Sequence, residues 1–369
     1  MQLRRNILLA LMIVLFVYFE IHSCSQDSAM KPEPPAELPP SMLLNATDIF
    51  FFDAGHGWVS GQLGTMIRTV DGGATWEAAR VDNLDIRGIS FVDADCGWAC
   101  GNDGKIYRTL DGGLTWDRRI FTGTPQMDDL FAVDFVSPDR GYLLGYSGVF
   151  VTADGGIGWE NNWLAVVPYR GAWSMSIVDD NNGFLLGSHY METDPEILHR
   201  SGDGGITWHS VPGSNASILR GIATIGFVSA ETGWAGGAAV MKTEDGGHTW
   251  TTQIEPAAVR EFFFFDELEG YAVGKTSVLH TVDGGATWID VAPADDRIVD
   301  LRSVHFIDRD RGWIAGRGAE ELIGERVFQW SIVLATADGG ATWSIRPFAW
   351  ETTSLETALG EEPAILQGL

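Results

Sequence analysis

Residues 71–76 read Asp-Gly-Gly-Ala-Thr-Trp, and the same six residues return at 283–288 and at 338–343. A Ser or Thr stands two positions before the aspartate, so the full pattern is Ser/Thr-x-Asp-Gly-Gly-x-Thr-Trp. Seven copies of one pattern predict that the chain is built from a tandem structural repeat. Four near-copies, the one from Asp154 with Gly158 in place of Thr, begin at Asp111, Asp154, Asp203 and Asp245.

The chemistry of this pattern predicts a tight turn. Its two glycines adopt positive φ at no steric cost, and its carboxylate is expected to accept hydrogen bonds from amides two residues further on. The closing tryptophan is expected to bury against a neighbouring unit. This is the Asp-box, or BNR repeat, and its seven aspartates are predicted to have a structural role. They are Asp71, Asp111, Asp154, Asp203, Asp245, Asp283 and Asp338.

Each turn belongs to a longer unit. An alternating apolar stretch such as Ile89-Ser90-Phe91 opens the second unit, followed by Gly97-Trp98, then by Ile106-Tyr107-Arg108-Thr109, and then by the box. This pattern indicates four short strands per unit. Units of about 40 to 45 residues suit the blades of a propeller. The sequence therefore predicts an all-β fold, a seven-bladed β-propeller of four-stranded blades with Asp-box turns, over residues 44–350.

The remaining segments suggest export. Residues 1–24 read as a signal peptide, with basic Arg4 and Arg5 before an apolar run, and the stretch Ile21-His22-Ser23-Cys24 resembles a bacterial lipobox. Cys24 is then the expected lipidation site. An uncleaved signal anchor is the alternative, but the apolar run is shorter than the roughly 20 residues that span a bilayer. Residues 25–43 form a proline-rich linker, and residues 351–369 a C-terminal tail.

Composition limits the partners. The formal charge of −26 argues against nucleic acid, which is held by a basic surface. Cys96 and Cys100 are too far apart on one extended strand to form a disulfide. By their repeat positions, Cys96 is expected to be exposed and Cys100 buried.

The exported amino terminus, the seven units and the phrase Gly-Trp-x-x-Gly, followed by Gly-x-Ile-x-Arg-Thr-x-Asp-Gly-Gly-x-Thr-Trp, resemble the photosystem II stability and assembly factor family. The resemblance covers roughly residues 44–347. It implies a non-enzymatic propeller on the lumenal or periplasmic side of a membrane, often lipid-anchored. It also implies that the partner is a membrane protein subunit or its exposed segment, bound through an arginine-rich patch.

Five arginines are candidates for that patch. Arg87, Arg260 and Arg302 occupy the same repeat position, four residues before the first-strand phenylalanine, and Arg170 and Arg220 precede the same strand in their units. Side chains at this position are expected near the mouth of the central channel, and guanidinium groups suit the binding of carboxylates. The alternative is that each arginine pairs with a nearby acid such as Glu261 or Asp300.

The alternative to a binding function is an enzyme of the sialidase or glycosidase type. No Arg-Ile-Pro motif precedes the first strand, and aspartates spread around a propeller do not converge on one substrate. The histidines lack the spacing of a zinc site. No catalytic residue, metal or cofactor is therefore predicted. A carbohydrate-binding propeller remains the alternative, with Trp173, Tyr190 and Trp330 as candidate aromatic platforms.

Overall fold

The computed structural model describes residues 45–119, 129–146, 148–161, 172–187, 197–214, 219, 221–255, 257–323 and 326–346, all within one compact unit. These residues form 28 β-strands and two single-turn 3₁₀ segments, Gln62–Gly64 and Asn102–Gly104. The strands make seven antiparallel sheets of four strands each. The predicted fold class is confirmed. The expected signal peptide, linker and C-terminal tail lie outside the described residues.

Each sheet is one blade, and its four strands follow one another along the chain. The first three blades contain β1–β4 (Ala46–Phe51, Gly57–Gly61, Thr65–Thr69, Glu77–Arg80), β5–β8 (Ile86–Phe91, Gly97–Gly101, Ile106–Thr109, Asp117–Arg119) and β9–β12 (Leu130–Phe135, Gly141–Gly145, Gly148–Thr152, Glu160–Asn161).

The remaining four blades have the same strand order. They contain β13–β16 (Ala172–Ile177, Gly183–Gly187, Leu198–Ser201, His209–Ser210), β17–β20 (Ile222–Phe227, Gly233–Gly237, Val240–Thr243, Thr251–Ile254), β21–β24 (Glu261–Phe264, Gly270–Gly274, Ser277–Thr281, Ile289–Asp290) and β25–β28 (Ile298–Phe306, Gly312–Ile323, Arg326–Thr336, Ser344–Arg346).

The ring closes between blade 7 and blade 1. The innermost strand of each blade contacts that of the next, and β25 contacts β1. At this boundary the Ala46 amide donates to Ser331 Oγ (2.9 Å), and the Ile49 amide donates to Ser303 Oγ (3.2 Å). Every blade is one continuous segment of chain. The first and last blades are therefore joined by side-chain contacts rather than by a shared sheet.

The two faces of the ring carry different connections. We call the face where the innermost strands begin the upper face and the face where they end the lower face. Each blade's third strand runs parallel to its first, because neighbouring strands are antiparallel. The Asp-boxes follow the third strands, so they lie at the lower face. The arginines before or early in the innermost strands lie at the upper face.

The Asp-box forms the predicted turn with a different hydrogen-bond pattern. Gly72 and Gly73 have φ of 74° and 87°, and the corresponding pairs in the other six boxes are also positive. Asp71 Oδ1 accepts from the Thr75 amide (2.8 Å), and the Gly73 amide donates to Thr69 Oγ1 (2.9 Å). The amide bound by the carboxylate is therefore four residues on, and the predicted offset of two is wrong. The Gly73 amide, two residues after the aspartate, donates to the Thr69 hydroxyl instead.

A second lower-face turn connects the first and second strands of each blade, and the side chain that stabilises it was not predicted. In blade 1 the Asp53 carboxylate accepts from the amides of Gly55 and His56, both at 2.7 Å. The Gly72 amide of the Asp-box donates to the Gly55 carbonyl (2.9 Å), which joins the two turns of the blade. The equivalent acceptors in blades 1 to 7 are Asp53, Asp93, Ser137, Asp179, Ser229, Asp266 and Asp308.

Aromatic side chains connect the blades. The Phe91 ring of blade 2 stacks on Trp58 of blade 1, with centroids 3.6 Å apart, and meets the box tryptophan Trp116 of its own blade edge-on. Trp58 Nε1 donates to the Gly112 carbonyl of the next Asp-box (2.8 Å). The sequence predicts that the box tryptophan contacts the neighbouring blade. In the structure, the stacking and the hydrogen bond between blades 1 and 2 are made by Trp58, which lies on the second strand.

The cysteines correct one expectation. Cys100 is a free, buried thiol and Cys96 is disulfide-bonded, so the two are not bonded to each other, as predicted. Cys96 is only 1% exposed, however, and its predicted exposure is wrong. Arg108, itself buried, places a guanidinium nitrogen 4.0 Å from Cys96 Sγ. At the same repeat position Arg311 is exposed and Thr232 is buried, so exposure here depends on the neighbouring side chains of each blade.

Thiol labelling should reflect this burial. We expect iodoacetamide to modify neither Cys96 nor Cys100 in the native protein, because both are inaccessible and burial raises the pKa of the Cys100 thiol. After denaturation Cys100 should react directly and Cys96 only after reduction. Peptide mass spectrometry would locate the label, and modification of Cys96 in the native state would contradict the structure.

No helix in the part of the chain that the structure describes has the length and apolar character needed to cross a membrane.

Candidate partner-binding site

Three of the five predicted arginines fall within the described residues, and all three lie at the upper face. Arg87 is on β5, Arg260 immediately precedes β21, and Arg302 is on β25. Arg170 and Arg220 lie outside the described residues. Blade 1 separates Arg87 from Arg302, so the described arginines form two groups, one at blades 2 and 3 and one at blades 6 and 7.

The first group joins an arginine to two aromatic rings. Arg87 donates to the Asp129 carboxylate (3.3 Å), and its guanidinium carbon lies 5.1 Å from the centre of the Phe131 ring. Tyr146 meets Phe131 edge-on at 4.6 Å and is 42% exposed. This arrangement presents a cation beside an accessible aromatic surface. A carboxylate or a peptide could contact both parts.

The second group shares one acid. Arg302 Nε donates to Asp300 (3.0 Å), and Arg260 Nε lies 3.4 Å from the other oxygen of the same carboxylate. The Asp300 side chain is buried, whereas that of Arg260 is 54% exposed. The predicted pairing with Asp300 is therefore present. It fixes the two arginines of adjacent blades side by side without removing their net positive charge.

Sequence reasoning missed two residues at the corner of blades 6 and 7. Arg317 is the cross-strand partner of Asp300, and the Lys275 carbonyl accepts from the Leu301 amide (2.6 Å) at the same corner. Neither residue precedes an innermost strand, the position at which the repeat pattern predicts arginines. Strand pairing within blade 7 would have pointed to Arg317, but its register requires the structure.

The Asp-box aspartates take no part in this site. They lie at the opposite face, and each carboxylate is bound within its own turn. The Thr75 hydroxyl and amide, for example, lower the pKa of Asp71 to about 2. Among the described residues no group of three His, Cys, Asp or Glu side chains has an arrangement that could hold a metal ion.

The central channel contains three acids on innermost strands. Asp48 accepts from the Ile89 amide of blade 2 (2.9 Å) and from the Ser303 hydroxyl of blade 7 (2.8 Å). Glu261 accepts from the Val304 amide (2.7 Å). In blade 2, Ser90 performs the equivalent role for a blade 3 amide. Asp48 and Glu261 therefore link neighbouring blades at a repeat position where Ser174 and Ser303 do the same in other blades.

The channel also perturbs the titration of these acids. Asp134 and Glu261 line a cavity of about 380 Å³, together with Ser174, Ser176 and Thr224. Burial raises the pKa of Asp134 to about 6, and that of Glu261 to about 8 with a further contribution from the charge of Asp48. Glu261 is therefore mostly protonated at pH 7, and it adds little negative charge beside Arg260.

A pH-dependent stability difference follows from Glu261. Because its pKa is raised on folding, its contribution to stability is fully present below the unfolded pKa and is lost as pH rises through about 8. We expect Glu261→Gln to leave stability almost unchanged at pH 5 and to raise the melting temperature at pH 9. Thermal unfolding at both values measures this. The exposed Glu255→Gln is the control, and an equal effect of Glu261→Gln at both pH values would contradict the account.

Comparison with known proteins identifies the family of this chain. The family model "Photosynthesis system II assembly factor YCF48" matches residues 35–118 and 122–262, more than half of the chain. This chain belongs to the YCF48 family. The photosystem II assembly lipoprotein Ycf48 of Picosynechococcus sp. is 30% identical over 290 residues, which are 73% of this chain and 80% of that relative.

Solved structures support the same fold. YCF48 bound to a D1 peptide has a TM-score of 0.60 at 20% identity, covering 74% of this chain and 90% of that one. The GH74 xyloglucanase of Xanthomonas campestris has a TM-score of 0.56 at 15% identity, covering 80% and 55%. A YCF48-family propeller thus shares its architecture with a glycosidase, so fold alone does not decide between binding and catalysis.

Proposed function

We propose that this YCF48-family propeller is a non-enzymatic assembly factor that binds an exposed segment of a membrane protein subunit through its upper-face arginines. Family membership supports the assembly role, and the relative solved with a D1 peptide supports a peptide-like ligand. The observation that carries the site is the Arg260–Asp300–Arg302 cluster. A buried acid there holds two cations of different blades in fixed positions.

The Arg87 group extends this surface. Its exposed Tyr146 and the adjoining Phe131 suit apolar side chains of the same segment, while Arg87 suits a carboxylate or carbonyl group. We propose that Arg170 and Arg220, which precede the innermost strands of their own units in the sequence, belong to the same surface. The formal charge of −26 makes nucleic acid an unsuitable partner for the chain as a whole.

The proposed location is the cell envelope, with the propeller facing the periplasm or lumen. The lipoprotein relative supports a lipid anchor at Cys24. The chain has three cysteines, and Cys100 is free while Cys96 is disulfide-bonded. The Cys24 thiol can carry a lipid or pair with Cys96 within one chain, but it cannot do both. The intact mass of protein from its native membrane distinguishes the two states.

A carbohydrate-binding or glycosidase function is the second candidate, favoured by the similarity to the GH74 fold. The aromatic residues predicted for it do not test it. Tyr190 lies outside the described residues, and the side chains of Trp173 and Trp330 are not described. Of the channel acids, Asp48 and Glu261 accept hydrogen bonds that join blades, whereas Asp134 lines the cavity with Glu261 and makes no hydrogen bond to the described residues.

Peptide binding tests the proposal against this alternative. A fluorescein-labelled D1 peptide would be titrated with the purified propeller and followed by anisotropy, with a scrambled peptide as control. We expect saturable micromolar binding of the D1 peptide and none of xyloglucan oligosaccharides. Binding or cleavage of the oligosaccharides, without peptide binding, would replace the assembly-factor proposal with the carbohydrate function.

A further inference from the structure

Asp300 is the buried centre of the blade 6 and blade 7 corner. Its side chain is 7% exposed, and it holds Arg260 and Arg302 through their Nε atoms, at 3.4 and 3.0 Å. A guanidinium group has five N–H donors, of which Nε supplies one. Within the described residues, no hydrogen bond or ion pair engages the terminal nitrogens of either arginine. Each guanidinium therefore keeps the paired donors that bind a carboxylate in bidentate fashion.

Arg317 supplies a third guanidinium on the same side of the sheet. It pairs with Asp300 across the antiparallel ladder of β25 and β26, and directly paired residues project to the same face. Its Nε is buried and has no hydrogen-bond partner in the part of the chain that the structure describes. A buried donor without a partner costs free energy unless a ligand or water satisfies it.

The charges at this corner favour an anion. Arg260, Arg302 and Arg317 contribute three positive charges, and Asp300 removes one. The adjacent Glu261 is mostly protonated at pH 7 because of its burial. A net positive cluster in a strongly acidic protein is a local exception to its composition. A net positive cluster of this kind attracts a carboxylate.

We propose that Arg260, Arg302 and Arg317 form a carboxylate-binding site and that Asp300 is its positioning residue. This inference rests on the proposed function, because the carboxylate is expected to belong to the bound segment, either as a chain terminus or as an acidic side chain. Asp300 holds the Arg260 and Arg302 guanidinium groups through their Nε atoms, which leaves their terminal nitrogens available to a ligand, and it limits the mutual repulsion of the arginines in the free protein.

Glutarate is a suitable probe because it offers carboxylates without any peptide. Arginine Nε–H signals of the ¹⁵N-labelled protein would be followed by NMR during a glutarate titration and assigned with single Arg→Lys variants. We expect the three arginine signals to shift with one common dissociation constant in the millimolar range. The lower-face Arg309, which pairs with Asp266 and Glu269, should not shift.

The Asp300→Asn variant separates positioning from simple electrostatics. Removal of a negative charge should tighten glutarate binding if charge alone matters. Loss of positioning should weaken it about tenfold, the effect of one charge-assisted hydrogen bond. Asp129→Asn makes the same charge change beside Arg87 and should leave these signals unchanged. Absence of saturable shifts in the wild type, or tighter binding by folded Asp300→Asn, would overturn the proposal.

The D1 peptide then identifies the source of the carboxylate. Competition with glutarate by the free-acid peptide but not by its C-terminal amide would indicate a chain terminus. Competition lost on replacing Asp and Glu of the peptide by Asn and Gln would indicate a side chain. If glutarate binds as expected and no form of the peptide competes, the carboxylate site stands and the D1-type partner is wrong.

Discussion

Replacement of Gly97 by alanine should lower the free energy of unfolding by about 2 to 3 kcal/mol, the usual cost of overfilling a tight core. A Cβ atom at this position would lie 2.4 Å from the Phe91 ring. That ring cannot move away easily, because it stacks on Trp58 at 3.6 Å and meets Trp116 edge-on. The added methyl group therefore displaces the contact that holds blades 1 and 2 together. Urea unfolding followed by tryptophan fluorescence measures the change.

Two other glycines are matched controls for this substitution. Gly183 occupies the same repeat position in blade 4, but its Cβ would meet the Ile177 terminal methyl and the Trp208 ring, both at 3.1 Å. At Gly202 nothing lies within 4 Å. We expect Gly183→Ala to have an intermediate effect and Gly202→Ala to have little. If all three variants unfold at the same urea concentration, the aromatic contact does not explain the recurring glycine.

Removal of the blade 6 and blade 7 cluster should weaken partner binding at least 100-fold. The variant combines Arg260→Gln, Arg302→Gln and Asp300→Asn. Each arginine contact with a carboxylate contributes roughly 1.5 to 3 kcal/mol, and tenfold in affinity is about 1.4 kcal/mol. The proposed binding of a D1 peptide would then become undetectable by anisotropy.

Asp300 is included because its carboxylate is buried. Removing the arginines alone would leave an uncompensated buried charge and destabilise the propeller, which would confuse folding with binding. The control variant is Arg309→Gln with Arg311→Gln and Asp308→Asn, which makes the same charge change at the lower face. We expect it to bind like the wild type. An unchanged affinity of the upper-face variant would exclude these arginines.

The repeat itself was predictable because it depends on local chemistry. Glycines at positive φ and a hydroxyl two residues before the aspartate identify the Asp-box within eight residues, so the turns, the strands and the blade count followed. The hydrogen-bond partner of the Asp71 carboxylate was not predictable, because the Thr69 hydroxyl and the Thr75 amide bind this carboxylate in place of the nearer Gly73 amide. Alignment of units cannot rank hydrogen bonds within a unit.

The site was predictable only in part, because its residues meet across blades. Arg260 and Arg302 share a repeat position, which the sequence shows, but their common acid Asp300 belongs to one blade alone. Arg317 comes from a strand of 12 residues in blade 7, far longer than the second strands of other blades. The predicted exposure of Cys96 was wrong for a similar reason, because the Arg108 side chain that covers it comes from another strand.

The most direct test of the central claim is recovery of the partner from detergent-solubilised membranes of the native host, with wild type, upper-face variant and lower-face control as baits. The amounts of co-purifying proteins would be compared by quantitative mass spectrometry. We predict that one membrane protein subunit is recovered with wild type and with the lower-face control, and is lost with the upper-face variant. Equal recovery of the same proteins by all three forms would contradict the claim that the upper-face arginines bind the partner.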